Sequence, residues 1–431
     1  MNSAMEESLA EARDTLLDSR FKGVPLGAQI QLRNIGEQRW NVTQGDLALP
    51  VTTLRAEAVD HNIRAMAAYA NRYGALLAPH GKTTMSPQLF GRQLEAGAWA
   101  ITAATPSQAA IMRRFGVPRI FLANELVEPN ALRWVAIQLA DPDFDFYCLV
   151  DNPSTVALMD RFLGGLPEDR RLSVLVEVGV KGGRTGTRSN AQAVDTAEAV
   201  TASEHLQLAG IETYEGLAAR GGTQEDLDAV DSTLDQVRDL VVDLWKRGLL
   251  DDHEVLVSAG GSVYFDRVVQ RLGDWSHSPV TARLILRSGC YVSHDAGRYH
   301  RLSPLDGRRS AKEPLELWDA LQAWAVVLSC PEPGLVILGA GKRDVPYDVD
   351  LPLLQHLYRS DGIDFSLEGR GSITGLMDQH AFAAVDLDLD IRPGDVVSLG
   401  LSHPCGAFEK SPLVPLLNDV GDVVDAILTY F

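Results

Sequence analysis

From about residue 48 the chain alternates short apolar or β-branched runs with stretches of helical period. Residues 75–80 read as a strand end, and residues 87–96 as the helix that follows. Further strands are expected at 98–102, 119–123, 145–150, 172–180, 206–214, 254–258 and 281–287, with helices such as 108–115 and 154–163 between them. Eight such units in about 250 residues match the length and rhythm of a (β/α)8 TIM barrel, placed at residues 48–300. Beyond Arg301 the rhythm breaks. Residues 324–329, 335–338, 384–389 and 395–399 read as strands without long helices between them, and Arg392-Pro393-Gly394-Asp395 is a turn signal. A mostly antiparallel C-terminal β-domain is therefore expected at 301–431. A helix is expected at 5–20, then a connector at 23–27, and residues 1–47 should pack on the β-domain. There are no internal repeats.

Composition narrows the function classes. With 431 residues, 45% of them hydrophobic, the chain can bury a large core in two or three domains. Its formal net charge of -19 repels nucleic acid phosphates and anionic lipids, so neither is an expected partner. Cys148, Cys290, Cys330 and Cys405 are scattered and form no CxxC pair, so no disulfide framework is expected. The acidic N-terminus lacks the apolar run of a signal peptide, and no apolar stretch is long enough for a membrane helix. A cytoplasmic protein acting on a small molecule is the expectation.

Candidate chemistry sits at predicted strand ends, where this barrel type builds its sites. Lys82, in Pro79-His80-Gly81-Lys82-Thr83, can form a Schiff base there; otherwise it is an ordinary exposed lysine. Ser258-Ala259-Gly260-Gly261-Ser262 and Ser288-Gly289-Cys290 follow the last two strands. Glycine-rich turns let backbone N–H groups approach a phosphate, and barrels often bind phosphate at these two loops. Simple tight turns are the alternative. Arg184 could reach a carboxylate or ring oxygen, or form a rim ion pair. Tyr214 could stack on a planar ligand, or line the rim. Together they suggest a phosphate-bearing aldehyde cofactor, pyridoxal 5'-phosphate.

The C-terminal part adds His380 and the run His403-Pro404-Cys405. His380 is a rim histidine or a base. His403 and Cys405 can grip one zinc ion and leave positions open for water or substrate, as in a catalytic site. Otherwise Pro404 and Gly406 simply hold a turn, with Cys405 as a small buried group.

These motifs resemble the fold-type III pyridoxal-phosphate enzymes related to alanine racemase, within them the D-serine dehydratase and D-threonine aldolase group. The matches run in family order: PHGKT (79–83), EVGVKGGRTG (177–186), YEG (214–216), SAGGS (258–262), SGCY (288–291), DQH (378–380) and HPC (403–405). The resemblance implies that Lys82 carries the cofactor, with Arg184 by its phenolic oxygen and Tyr214 beside it. Gly260, Gly261, Ser262, Ser288, Gly289 and Cys290 would cradle the phosphate, and His403 and Cys405 would bind the metal. It also implies a homodimer. Three positions depart from the family pattern: Thr84 and Leu217, where relatives often have His, and Asp378-Gln379, where they often have Glu-Glu. All three bear on the substrate side.

The expected activity is a zinc-dependent, D-serine dehydratase-like lyase that turns a D-3-hydroxy amino acid into a 2-oxo acid and ammonia. Cys405 favours dehydration and zinc, because the aldolases usually have Asp there and thiolate is a soft ligand. The alternative is a metal-dependent aldolase giving glycine and an aldehyde. A racemase is weaker, since it needs no metal pair. A non-catalytic cofactor carrier would lack the C-terminal domain.

Overall fold

A computed structural model describes residues 2–250 and 254–431. The chain divides into two compact units: one of Met1–Ala65, Thr83–Arg92 and Cys290–Phe431, the other of Met66–Lys82 and Gln93–Gly289.

The second unit is the barrel. Its strands are β1 (Leu76–Leu77), β2 (Ile101–Ala103), β3 (Arg119–Glu125), β4 (Asp145–Val150), β5 (Leu172–Val178), β6 (Leu206–Thr213), β7 (Val255–Ala259) and β8 (Ala282–Leu286). All neighbours pair in parallel, β8 pairs with β1, and a bridge from His80 to Thr102 joins the ends of β1 and β2. Each strand matches a predicted one because strands covered on both faces are predominantly apolar. Inside, Ala78, Ala100, Phe121, Leu149, Leu175 and Ile285 pack as one core. The helices start where small polar residues can cap them. Thr105 accepts from the Gln108 N–H, Asn152 from Thr155, and Thr223 forms a capping box with Asp226.

The first unit is built on the long strand Leu321–Glu332. It pairs antiparallel with Val51–Arg55, Val396–Gly400 and Leu335–Leu338. Leu353–Tyr358, Asp364–Ser366, Gly371–Leu376 and Ala381–Val385 extend this sheet, and Leu413–Leu417 with Val423–Leu428 pack beside Val51–Arg55.

Several boundaries differ from the sequence expectation. Residues 48–65 and 290–300, read with the barrel, lie in the sheet unit, because Val51–Leu54 pairs residue by residue with Leu321–Trp324. The expected strand at 384–389 is Ala381–Val385. Its Asp-Leu alternation beyond Val385 serves Arg370 instead, which pairs with Asp386 and Asp388 at 2.7 Å. The N-terminal helix stops at Ala12, where Thr15 and Arg13 carbonyls turn to Leu32 and Arg33. The N-terminal segment joins the sheet unit through Arg13–Asp425 and Lys22–Asp344 ion pairs, both 2.8 Å. Among the described residues no helix is long and apolar enough to cross a membrane.

Phe121 is fully buried at the centre of the barrel, with Tyr147 stacked 6.3 Å away. Phe121→Ala removes a whole ring from a packed interior and should cost about 3–5 kcal/mol. Chemical denaturation of the two proteins checks this, and a loss well below 1 kcal/mol would mean the barrel core is not packed as described.

Candidate active site

Lys82 stands in the helical turn Gly81–Thr83, just after β1. Two residues earlier, His80 Nδ1 is buried without a hydrogen-bond partner. Burial first, then Lys82 and Arg287, hold this imidazole well below its usual range, so it is neutral among cations. Gly289 packs on the same turn. A Cβ there would stand 2.4 Å from the His80 carbonyl oxygen, so the close approach needs glycine.

Arg184 and Tyr214 come together, with the guanidinium 5.0 Å above the ring. Tyr214 also covers Gly261, where a Cβ would meet its ring at 2.8 Å. The loop carrying Arg184 is held by Arg188. Its guanidinium donates to the carbonyls of Gly183, Arg184, Thr185 and Gly186 at 2.5–3.2 Å.

The two late turns meet as well. Ser288 Oγ donates to the Gly261 carbonyl at 2.9 Å, and Ser262 lies half-buried beyond it. The Gly260 and Gly261 N–H groups donate to the Glu215 carboxylate at 3.0 and 2.7 Å. The Glu215 carboxyl group therefore occupies these two amides, the donors expected from the sequence to meet a phosphate. Burial pushes the Glu215 carboxyl up, and the two amides pull it back. Ser258 accepts from Arg287 Nε at 2.8 Å. Arg287 also pairs with Glu212, both almost fully buried, and its side chain lies over the Phe121 ring.

Acid groups lie at the same strand ends. Glu125 closes β3 and Glu177 lies near the end of β5. Their carboxyls face one another, yet neither Glu125 oxygen nor Glu177 Oε2 has a donor partner. Two acceptors in contact are stable with a proton between them. Burial, then Glu177 and Asp151, push the Glu125 carboxyl up from 4.5 to about 9.

In the sheet unit, His403 and Cys405 bracket the start of the short helix Pro404–Phe408. His403 adopts a left-handed backbone, φ 69°, uncommon for any residue but glycine. Asp295, fully buried, holds it there. Its carboxylate accepts from the backbone N–H groups of His403 (2.9 Å), Tyr299 (2.8 Å) and Gly297 (3.0 Å). The His403 imidazole meets Asp348 through Nδ1 at 2.6 Å, which leaves Nε2 for another partner. Cys405 Sγ lies 3.5 Å from Thr83 Oγ1, and Cys290 Sγ 3.6 Å from the same hydroxyl. The Cys405 sulfur, then burial, push the Cys290 thiol up. His380 is exposed in the hairpin turn between Gly371–Leu376 and Ala381–Val385, and its carbonyl accepts from Met377.

The comparisons agree with this layout. Residues 54–264 match the family described as alanine racemase, N-terminal domain, and residues 320–417 match the putative serine dehydratase domain. The chain belongs to the fold-type III pyridoxal-phosphate enzymes. It is 26% identical to a D-threonine aldolase of an Arthrobacter species, over 78% of this chain and 80% of that one. It is 27% identical to a 3-hydroxy-D-aspartate aldolase of Paracoccus denitrificans, over 72% and 76%. Among solved structures it shares the fold of a D-threonine aldolase from Filomicrobium marinum (TM-score 0.74, 21% identity, 89% and 95% covered). It also shares that of D-threo-3-hydroxyaspartate dehydratase from a Delftia species (TM-score 0.70, 20% identity, 90% and 99% covered).

The residues fit the groups such fold-type III enzymes carry. Pyridoxal phosphate would meet an amine at Lys82, the Arg184–Tyr214 pair, and buried polar atoms on His80, Glu177 and Glu212 that lack partners. A metal would meet an imidazole oriented by a carboxylate and a thiol, a donor set that suits zinc. Among the described residues no three His, Cys, Asp or Glu gather as a metal cage, so the pair would leave coordination positions open. Thr83, Glu125, Arg287, Asp295 and Asp348 were not singled out from sequence. Only Thr83 and Arg287 had a signal, as neighbours of Lys82 and Ser288 within the motifs.

The Glu125 shift has a stability consequence. Between pH 4.5 and about 9 the folded chain holds a proton on Glu125 that the unfolded chain has lost, so this group's contribution falls as pH rises through that window. Burial pushes Glu212 and Asp319 the same way, so the comparison must be with a variant. The melting temperature of the wild type relative to Glu125→Gln should drop from about pH 5 to about pH 9. A difference that stays flat with pH would show that Glu125 and Glu177 do not share a proton.

Proposed function

We propose that the protein is a pyridoxal-phosphate- and zinc-dependent lyase that dehydrates a D-3-hydroxy amino acid to a 2-oxo acid and ammonia. The observation that carries the reading is the donor set of the sheet unit, a Cys405 thiol beside a His403 imidazole already turned by Asp348. Relatives named for cleaving D-threonine and 3-hydroxy-D-aspartate support the substrate class.

Lys82 would hold the cofactor, with Arg184 and Tyr214 beside its ring and the turns at Gly260–Ser262 and Ser288–Cys290 at its phosphate. Bound there, pyridoxal phosphate would spread the negative charge that forms at the substrate Cα. Lys82 is the base that takes the Cα proton. His80, held neutral, adds no competing positive charge beside the Lys82 amine. Zinc on His403 and Cys405 would act as a Lewis acid on the β-hydroxyl, making it a better leaving group. Asp348 keeps the His403 ring turned, and Asp295 keeps its backbone in place. Arg188 keeps Arg184 from swinging away by fixing four carbonyls of its loop.

The second reading is aldol cleavage, favoured by the reported activities of the sequence relatives. There a base takes the β-hydroxyl proton and the Cα–Cβ bond breaks. A panel of D-3-hydroxy amino acids separates the two. Equal amounts of ammonia and 2-oxo acid are expected; glycine with an aldehyde would replace dehydration by cleavage. Chelation should abolish turnover and added zinc restore it, and undiminished product in the presence of chelator would remove the metal role. Lys82→Ala should abolish the visible absorbance of the bound cofactor, and retention of that absorbance would overturn the assignment of Lys82.

A further inference from the structure

Cys290 and Cys405 lie 115 positions apart in sequence and side by side in the sheet unit. Cys290 opens the helical turn Cys290–Val292, and Cys405 lies in the first turn of Pro404–Phe408. Both sulfurs stand on one hydroxyl, Thr83 Oγ1, at 3.6 and 3.5 Å, and the two thiols are in hydrogen-bond contact with each other. The other two cysteines do not share this arrangement. Cys148 is buried in β4, and Cys330 is exposed, with its thiol on the Ile391 carbonyl. Two sulfurs that share one hydroxyl from separate backbone segments are neighbours, the first requirement for a disulfide between them. Cys405 is half-buried and Cys290 buried, so a small oxidant arriving from solvent meets Cys405 first.

We propose that Cys290 and Cys405 are a reversible oxidation site, closed to a disulfide by hydrogen peroxide, and that the disulfide and a metal are alternative states of Cys405. The Cys405 thiolate attacks one peroxide oxygen. The O–O bond breaks, the sulfur becomes a sulfenic acid, and the departing hydroxide gains a proton to leave as water. The Cys290 sulfur then attacks the Cys405 sulfur. The S–S bond forms, the S–O bond breaks, and the hydroxyl leaves as water with the Cys290 proton. The sum is two thiols and one peroxide giving one disulfide and two waters. A small thiol reductant reverses it by exchange. The second half of the proposal rests on the metal role given to Cys405 above. A sulfur in a disulfide has no thiolate to offer zinc, and a thiolate on zinc is withheld from peroxide.

The test uses the full-length protein, stripped of metal or loaded with zinc, and hydrogen peroxide as the probe. The metal-stripped protein should lose two titratable thiols. Non-reducing peptide mapping should show the segments of Cys290 and Cys405 linked. Zinc binding, measured by equilibrium dialysis, should fall to background and return after reduction. The zinc-loaded protein should keep its thiols at the same dose. In Cys290→Ser, Cys405 should instead be trapped as a sulfenic acid by dimedone. Dimedone labelling of wild-type Cys405 with no linked peptide would overturn the disulfide. If the linked peptide forms and zinc binding is undiminished, the oxidation site stands and the metal role of Cys405 falls. If Cys405→Ala loses zinc binding while no linked peptide forms in the wild type, the metal role stands and the oxidation site falls.

Discussion

Arg287 is the constraint on which the barrel's functional end depends. It is a permanent cation enclosed in a core of Phe121 and the strand ends, and burial of an uncompensated charge is too costly to persist. Glu212 therefore has to remain opposite it, and Ser258 and the Thr213 carbonyl accept two further N–H groups at 2.8 and 3.2 Å. One side chain thus fixes the ends of β6, β7 and β8 relative to one another. Removing either partner would leave the other charge stranded, a loss of about 3–5 kcal/mol. The turn that begins at Ser288 starts from this anchored point.

Around that pair the barrel keeps both signs of charge in separate groups. Lys82, Arg184 and Arg287 act on His80 from one side of the charge balance, while Glu125, Glu177 and Asp151 press on one another. Within these groups Arg287 has a carboxylate partner, Glu212, while the Glu125 oxygens have no donor at all. The cationic set is what an anionic cofactor requires. The acid set stays compact by retaining a proton rather than by recruiting a cation. An enzyme that moves protons at a substrate carbon needs groups whose protonation is set by surroundings in this way.

The barrel was legible because its strands are mostly apolar and recur in a regular rhythm with helical stretches and a turn after each strand. The sheet unit was legible only in part. Leu353–Tyr358 carries Gln355 and His356, and Gly371–Leu376 carries Gly, Ser and Thr, so half-solvated strands lost their signal. Val51–Arg55 fell inside the range read as barrel, and its long-range pairing with Leu321–Glu332 assigns it to the sheet unit. Among site residues, those inside compact motifs were readable. Asp295, Asp348 and Glu125 were not, because each acts through a partner distant in sequence: His403 for the first two, Glu177 for the third.

The left-handed backbone at His403 carries an evolutionary implication. A glycine or asparagine would adopt that conformation at less cost, so selection for a robust fold alone would not choose histidine there. Holding the residue also commits a fully buried carboxylate, Asp295, to three backbone amides. The chain bears two thermodynamic burdens to keep one imidazole in place. Where selection on this imidazole is relaxed, glycine or asparagine should therefore appear here early, since either relieves the backbone strain at the loss of one contact to Asp348.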